Sequence, residues 1–391
     1  MVIPTTLLAC LYCGVPQFEV VNIGTFGTGP CGTFDVSSAE TACGQGTAPN
    51  GQNQHAFFWD GDMMHNIPPL TAPNGGNTWG NALNGLGHVV GYCNAGSVSL
   101  HAYRWSVEEG TVDLGVPSWA AGDYSQAKDI NDAGTVVGFA GTVPYNLRGC
   151  VWLNGAMLEI PTLGGDESRC NAVSERGDVV GMARLESGQM RGFVLPDGDV
   201  DAMFVLDAPD GGGAWATDIT ESRVACGWGA DADGVYHALT WTLAEGMVYL
   251  DEPDGWQTFA YDINEDLWIT GKAWAPDGTQ FGCVWIDGEF YLLQDLTPDL
   301  PAGAELRIGQ AINDAGWIAT SLAYDDADNQ AIVLRPIEAS SGDVNGDGVV
   351  NTDDILLIIG SWGPCTECSG DIDGDGLVGT NDLLIVLAQW D

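Results

Sequence analysis

Basic residues are nearly absent from this 391-residue chain: 11 Lys and Arg stand against 54 Asp and Glu, for a formal charge of −43. With so little positive charge the chain could not neutralise a run of phosphates, which excludes a general nucleic-acid binder. An anionic membrane surface would repel it. Long apolar runs are missing too. Residues 1–16 (MVIPTTLLACLYCGVP) are apolar but too short to span a bilayer, and no later run is long enough for a membrane-spanning helix. That opening stretch has the apolar part of a secretory leader without its basic start, and Leu7-Leu8-Ala9-Cys10 loosely matches a lipid-attachment box. Only five His occur, and there is no Gly-x-Ser-x-Gly elbow, His-Glu-x-x-His helix or phosphate loop. Carboxylates are so numerous that no acid/base pair stands out. The acidity suits a secreted or cell-surface protein.

Cysteine is used without an obvious disulfide framework. Two of the 11 Cys lie in the leader, so nine remain, and an odd number leaves at least one free or intermolecular thiol. Cys365-x-x-Cys368 can bridge to itself or hold a metal. Cys150 and Cys283 hold one repeat position, as do Cys43 and Cys226, which points to small packing hydrophobes.

What is present is repetition on two scales. Across residues 17–338 a small polar residue is followed seven positions later by Gly: Ser37 and Gly44, Asn84 and Gly91, Asn131 and Gly138, Ser174 and Gly181, Thr220 and Gly227, Asn264 and Gly271. Asn313 and Thr320 form a worn seventh copy, and successive glycines lie 43 to 47 residues apart. Strand, polar turn, then a Val-rich strand reads as a β-hairpin. A second anchor follows each hairpin, as in His55-Ala-Phe-Phe-Trp59, Arg148-Gly-Cys-Val-Trp152 and Gln330-Ala-Ile-Val-Leu334. Its second residue is always Ala or Gly and its fifth always Trp or Leu. These lie on opposite faces of a strand, one face thin and the other filling a gap between layers. An Asp-Gly or Asn-Gly turn and a fourth strand often come next.

Seven units of four short antiparallel strands predict an all-β, seven-bladed β-propeller, with an open β-solenoid or two sandwiches as the rival arrangement. The seventh unit leaves after its third strand. The unpartnered segment Phe18-Glu19-Val20-Val21-Asn22-Ile23-Gly24 supplies the missing outer strand and closes the ring. Five positions before each polar anchor stand residues that differ between repeats. Among them Trp79, Gln126, Arg169, Trp215 and Phe259 surround one mouth of the channel and could hold a glycan, aromatic faces stacking on sugar rings and Gln and Arg bonding hydroxyls or carboxylates. The competing expectation is that the three aromatics are inner-strand core.

The second scale is the tail, residues 342–391, joined through a linker at 339–341. Here a twelve-residue acidic loop is written twice, 28 residues apart. Positions 1, 3, 5, 7, 9 and 12 are Asp343, Asn345, Asp347, Val349, Asn351 and Asp354 in the first copy, and Asp371, Asp373, Asp375, Leu377, Gly379 and Asp382 in the second. Oxygen donors at this spacing, with Gly348 and Gly376 at position 6, predict one Ca2+ ion per loop, two in all. Each loop opens a short helix. Ile355, Ile358, Ile359 and Trp362 form an apolar stripe that should pack on Leu383, Val386, Leu387 and Trp390. Leu356, Leu357, Leu384 and Ile385 are left facing outward.

The ring signature resembles the HAF family of extracellular repeats over residues 17–338. That resemblance implies secretion and repeat architecture and brings no catalytic residue. Loop-then-helix, duplicated, resembles the dockerin type I module over residues 342–391, a small α-helical unit that plugs into a cohesin receptor. It implies that Thr352, Asp353, Thr380 and Asn381, at loop positions 10 and 11, help select the partner. The tail departs from the usual pattern by its Cys365-x-x-Cys368 link and by ending directly after the second helix. Three functions follow as expectations. The first is a secreted, non-catalytic propeller docked through a calcium-dependent tail onto a cohesin-like or envelope receptor, with a glycan as ligand. The others are a polysaccharide lyase or glycosidase delivered by that tail, and a self-associating envelope protein.

Overall fold

The computed structural model describes residues 15–390 apart from 25, 28, 49–50, 71–74, 97–98, 119–123, 143–144, 207–211, 326–327, 338–341, 347–348, 366–367 and 373–375. The leader (except residues 15 and 16) and the linker therefore lie outside the described residues. The chain divides into two compact units, Val20–Arg335 and a second formed by Met1–Glu19 with Pro336–Asp391.

The first unit is a seven-bladed β-propeller. Blades 1 to 6 are four-stranded antiparallel meanders covering residues 31–67, 78–115, 125–160, 164–206, 214–249 and 257–292. In blade 7 the sheet order is Phe18–Asn22, Gln330–Pro336, Ile318–Ala323 and Glu305–Leu306, with Ala311–Ile312 also paired to Ile318–Ala323. The N-terminal strand is thus the outer strand of the last blade and leaves no bare edge there.

The repeat anchors have separate physical causes. In blades 1 to 6 the register of the innermost hairpin slips by one residue at the same place, a β-bulge at Phe34, Asn81, Lys128, Asn171, Thr217 and Tyr261. The facing residue on the second strand is the anchor glycine. At Gly138 a Cβ would lie 2.0 Å from the Gln126 carbonyl oxygen, and the five equivalent glycines meet the same carbonyl at 1.8–2.0 Å. Blade 7 has its inner strand broken in two, and there Thr320 replaces the glycine and donates its hydroxyl to the Ile308 carbonyl.

The polar anchor ties one blade to the next. The Asn84 amide donates to the Asn131 carbonyl (3.0 Å), Asn131 to Ser174 (2.9 Å), Asn264 to Asn313 (3.0 Å), and Asn313 to Ser37 (2.8 Å) across the point where the ring closes. The thin Ala position receives the bulky residue of the following blade: Ala56 shares a core with Trp105, Ala102 with Trp152, Ala238 with Trp285, and Ala331 with Trp59. Ala102 and Trp59 are 0% and 7% exposed, so the fit leaves almost no water between sheets. Seven cysteines of the ring are free thiols, all buried, as packing residues would be.

The second unit contains helices α1 (Thr352–Gly360) and α2 (Thr380–Ala388) and a two-residue strand pair, Gly363–Pro364 with Leu377–Val378. Asn351 caps α1, its side chain accepting from the Asp353 N–H while Asp354 reaches back to the Asn351 N–H. The apolar stripes pack less completely than the helical period predicts. Ile358 and Val386 are fully buried with Val350 and Val378, and Ile355 and Leu383 flank them. Ile359, Trp362, Leu387 and Trp390 are instead 44–54% exposed. Both tryptophans lie beyond the ends of the nine-residue helices, where the period no longer directs them inward, whereas Ile359 and Leu387 sit in the last helical turn and are exposed all the same. Cys365 and Cys368 form a disulfide.

Candidate functional site in the propeller channel

The bulges turn one side chain per blade toward the propeller axis, and the residue after each bulge follows it. Together they line a cavity of about 590 Å³ with Phe34, Asn81, Lys128, Asn171, Thr217, Tyr261 and Gln310 at the bulge position or its blade 7 counterpart. Gln126, Arg169 and Trp215 also line it. Four carboxylates, Asp35, Asp129, Asp218 and Asp262, complete the wall.

These carboxylates clamp neighbouring blades. Asp35 accepts from the N–H of Val36 in its own blade and of Leu83 in the next, both at 2.8 Å. Asp129 does the same with Ile130 and Val173 (both 2.7 Å), and Asp262 with Ile263 (3.1 Å) and Ile312 (2.7 Å). Asp218 accepts from Ile263 at 3.1 Å. Burial, reinforced by their mutual repulsion, raises all four. Asp129 is pushed up to about 7 and Asp262 to about 6, while Asp35 and Asp218 stand well above the ordinary carboxylate range. With its oxygens engaged by backbone N–H groups and, between Asp218 and Asp262, by each other, this ring acts as scaffold.

The five expected mouth residues have different fates. Gln126, Arg169 and Trp215 reach the cavity. Trp79 is half-buried but outside the lining, stacked on its cross-strand neighbour Tyr92 at 4.6 Å. Phe259 is 6% exposed, enclosed edge-on by Trp228 (5.2 Å) and Trp274 (5.4 Å), and also lies outside the lining. Arg169 is held by Glu167 and lies over the Phe139 ring at 4.9 Å.

Sequence reasoning missed a second set of lining residues. Phe139, Met182 and Trp228 sit directly across the sheet from Gln126, Arg169 and Trp215. Each directly follows an anchor glycine, so variability at that position was the available signal. Trp215 and Trp228 stack face to face at 4.0 Å, and Tyr236 meets Trp228 edge-on at 5.3 Å, which puts an aromatic stack in one wall. Farther along, Lys272 lies within 4.9–5.5 Å of the rings of Phe259, Tyr261 and Trp274, where burial lowers its pKa.

In the second unit the two acidic loops close in the same way. Asp354 accepts from Val344 (2.8 Å), Asn345 (3.1 Å) and Asn351 (2.8 Å), and Asp382 from Ile372 and Gly379 (both 2.7 Å). Asp343 accepts from Gly346 at 2.8 Å, and Asp371 from Gly376 at 3.0 Å. The other Asp371 carboxylate oxygen is buried without a hydrogen-bond partner. Asp347, Asp373 and Asp375 lie outside the described residues, and among the described residues no three acidic, His or Cys side chains cluster tightly enough for a metal. Thr352, Asp353, Thr380, Asn381, Leu356, Leu357 and Leu384 are exposed, and Ile385 is half-buried.

Fold and cavity define a closed seven-bladed propeller with a polar and aromatic axial pocket. No protein-family model matches the chain, and no curated protein matches it. Solved structures similar to it include a puromycin-hydrolyzing peptidase of Mycobacterium tuberculosis (12% identity, TM-score 0.49, 83% of this chain and 52% of that one). TolB from Acinetobacter baumannii (7%, 0.44, 82% and 66%) and a putative TolB from Agrobacterium tumefaciens (12%, 0.41, 82% and 97%) are also similar. The chain spans about half the length of the peptidase. At these identities the likeness concerns fold alone.

Proposed function

We propose that this is a secreted or surface-displayed, non-catalytic binding protein that holds a small saccharide in the propeller cavity. The observation that carries the reading is the Trp215–Trp228 stack in the wall of a cavity also lined by the amides of Gln126 and Gln310. Apolar ring faces with amide groups beside them match a sugar's two kinds of surface. The direct test is titration of the full chain with a panel of mono- and disaccharides. Trp215→Ala should weaken any binding at least ten-fold with little change in thermal unfolding, because Trp215 is half-exposed. A panel in which no sugar binds refutes the reading.

In the same proposal the C-terminal module is a dockerin-like unit that takes two Ca2+ ions and docks on a cohesin-like or envelope receptor. The unpartnered Asp371 oxygen and the all-oxygen donor set support a hard cation in the second loop. Exposed Leu356, Leu357, Leu384 and Trp390 support a docking face. Calorimetry on the full chain should count two ions. Asp343→Ala with Asp371→Ala should remove both, along with chelator-sensitive capture by envelope extract, and leave propeller unfolding unchanged. Unaltered ion uptake in the double variant would rule out these loops.

A further inference from the structure

The chain has only two lysines, and one of them, Lys128, faces the axial cavity from the bulge of blade 3. In three other blades the bulge side chain is committed to the next blade: Asn81 donates to the Ala127 carbonyl (2.6 Å), Asn171 to Ala216 (2.7 Å) and Thr217 to Ala260 (3.1 Å). Lys128 makes no hydrogen bond or ion pair to any of the described residues. Its neighbour Asp129 has both oxygens taken by backbone N–H groups, and the nearby cation Arg169 is already paired with Glu167. An ammonium group turned into a cavity without a hydrogen-bonding partner is costly, and in those three blades the same position instead ties its blade to the next.

We infer that Lys128 anchors the carboxylate of an acidic sugar, so that the cavity selects uronic acids over neutral saccharides. This rests on the saccharide reading above and names its ligand class. In this arrangement the sugar ring lies against the exposed side of Trp215 while its carboxylate meets the Lys128 ammonium group.

The test compares glucuronic acid with glucuronamide, an uncharged near-isostere, by calorimetry on the full chain at pH 7. The acid should bind at least ten-fold more tightly. Lys128→Met should bring that ratio to about one, and Lys128→Arg should restore most of it. Equal binding of acid and amide by the unaltered protein overturns the inference while leaving the saccharide reading in place. Preserved acid preference in Lys128→Met overturns it too. Failure of both compounds and of every neutral sugar overturns both readings. The acid-to-amide comparison on the unaltered protein decides the matter even if the Met variant does not fold.

Discussion

Deleting residues 17–24 is expected to abolish cooperative unfolding of the propeller and drive it to aggregate. This segment carries the outer strand of blade 7, and Phe18 is fully buried. Val21 and Ile23 pack into the core that joins the first and last blades through Trp59, Trp317, Ala331 and Val333. Losing the strand would bare the edge of Gln330–Pro336 and open part of that core together. Several large apolar side chains lose their burial at once, which exceeds the margin of a typical domain. Two cheaper substitutions separate the effects. Val21→Asp should damage packing and leave the strand paired, whereas Val20→Pro should disturb the backbone. A truncated chain that melts in a single transition at an unchanged temperature would show that the ring does not depend on this closure.

Acidification from pH 8 to pH 5 is expected to stabilise the propeller, against the usual intuition for a protein rich in ion pairs. Burial raises Asp129 to about 7 and Asp262 to about 6, and lifts Asp35 and Asp218 well above the ordinary carboxylate range. Unfolded, each titrates near 3.8. Between that value and the raised ones the folded ring holds more protons than the open chain, so stability falls as pH rises. The contribution is complete below about 4 and lost on passing through 6 and 7. Over this interval the loss is on the order of a few kcal/mol. Surface repulsion in so acidic a chain works in the same direction but is screened by salt, whereas the channel carboxylates are enclosed. Melting curves in 1 M NaCl therefore discriminate: a midpoint at least about 5 °C higher at pH 5 than at pH 8 is expected. A flat profile at high salt would mean that the channel carboxylates are ionised at no cost.

Much of the ring was legible in residues alone. The Asn131-to-Gly138 and His55-to-Trp59 patterns carry its period, strand count and closing strand, because packing between identical blades demands the same side chains every turn. The Ala and Trp positions could also be assigned to thin and thick faces, since strand alternation is local. The bulge was not legible. One extra residue on a strand has no sequence mark of its own, so the inward turn of Lys128 and Asp129 could not be seen. The apolar stripe in the tail failed at Trp362 and Trp390 for a related reason, since helical period predicts a face only as long as the helix lasts; Ile359 and Leu387 lie within the helices and still face outward.

The contrast among Trp79, Trp215 and Phe259 shows where the limit lies. All three hold one repeat position, and sequence determined that they begin the inner strand. Their surroundings depend on the residue opposite, which is Tyr92 for Trp79, Trp228 for Trp215 and Lys272 for Phe259. Tyr92 covers Trp79 by stacking away from the cavity, Trp228 and Trp215 stack within the cavity wall, and Phe259 is enclosed by Trp228 and Trp274 from two blades. The sequence by itself determined the repeat, the strand order and the charge of this protein, because those follow from local pattern and composition. Only the tertiary structure decided which side chains meet at the axis, because that depends on register across strands and on contacts between blades.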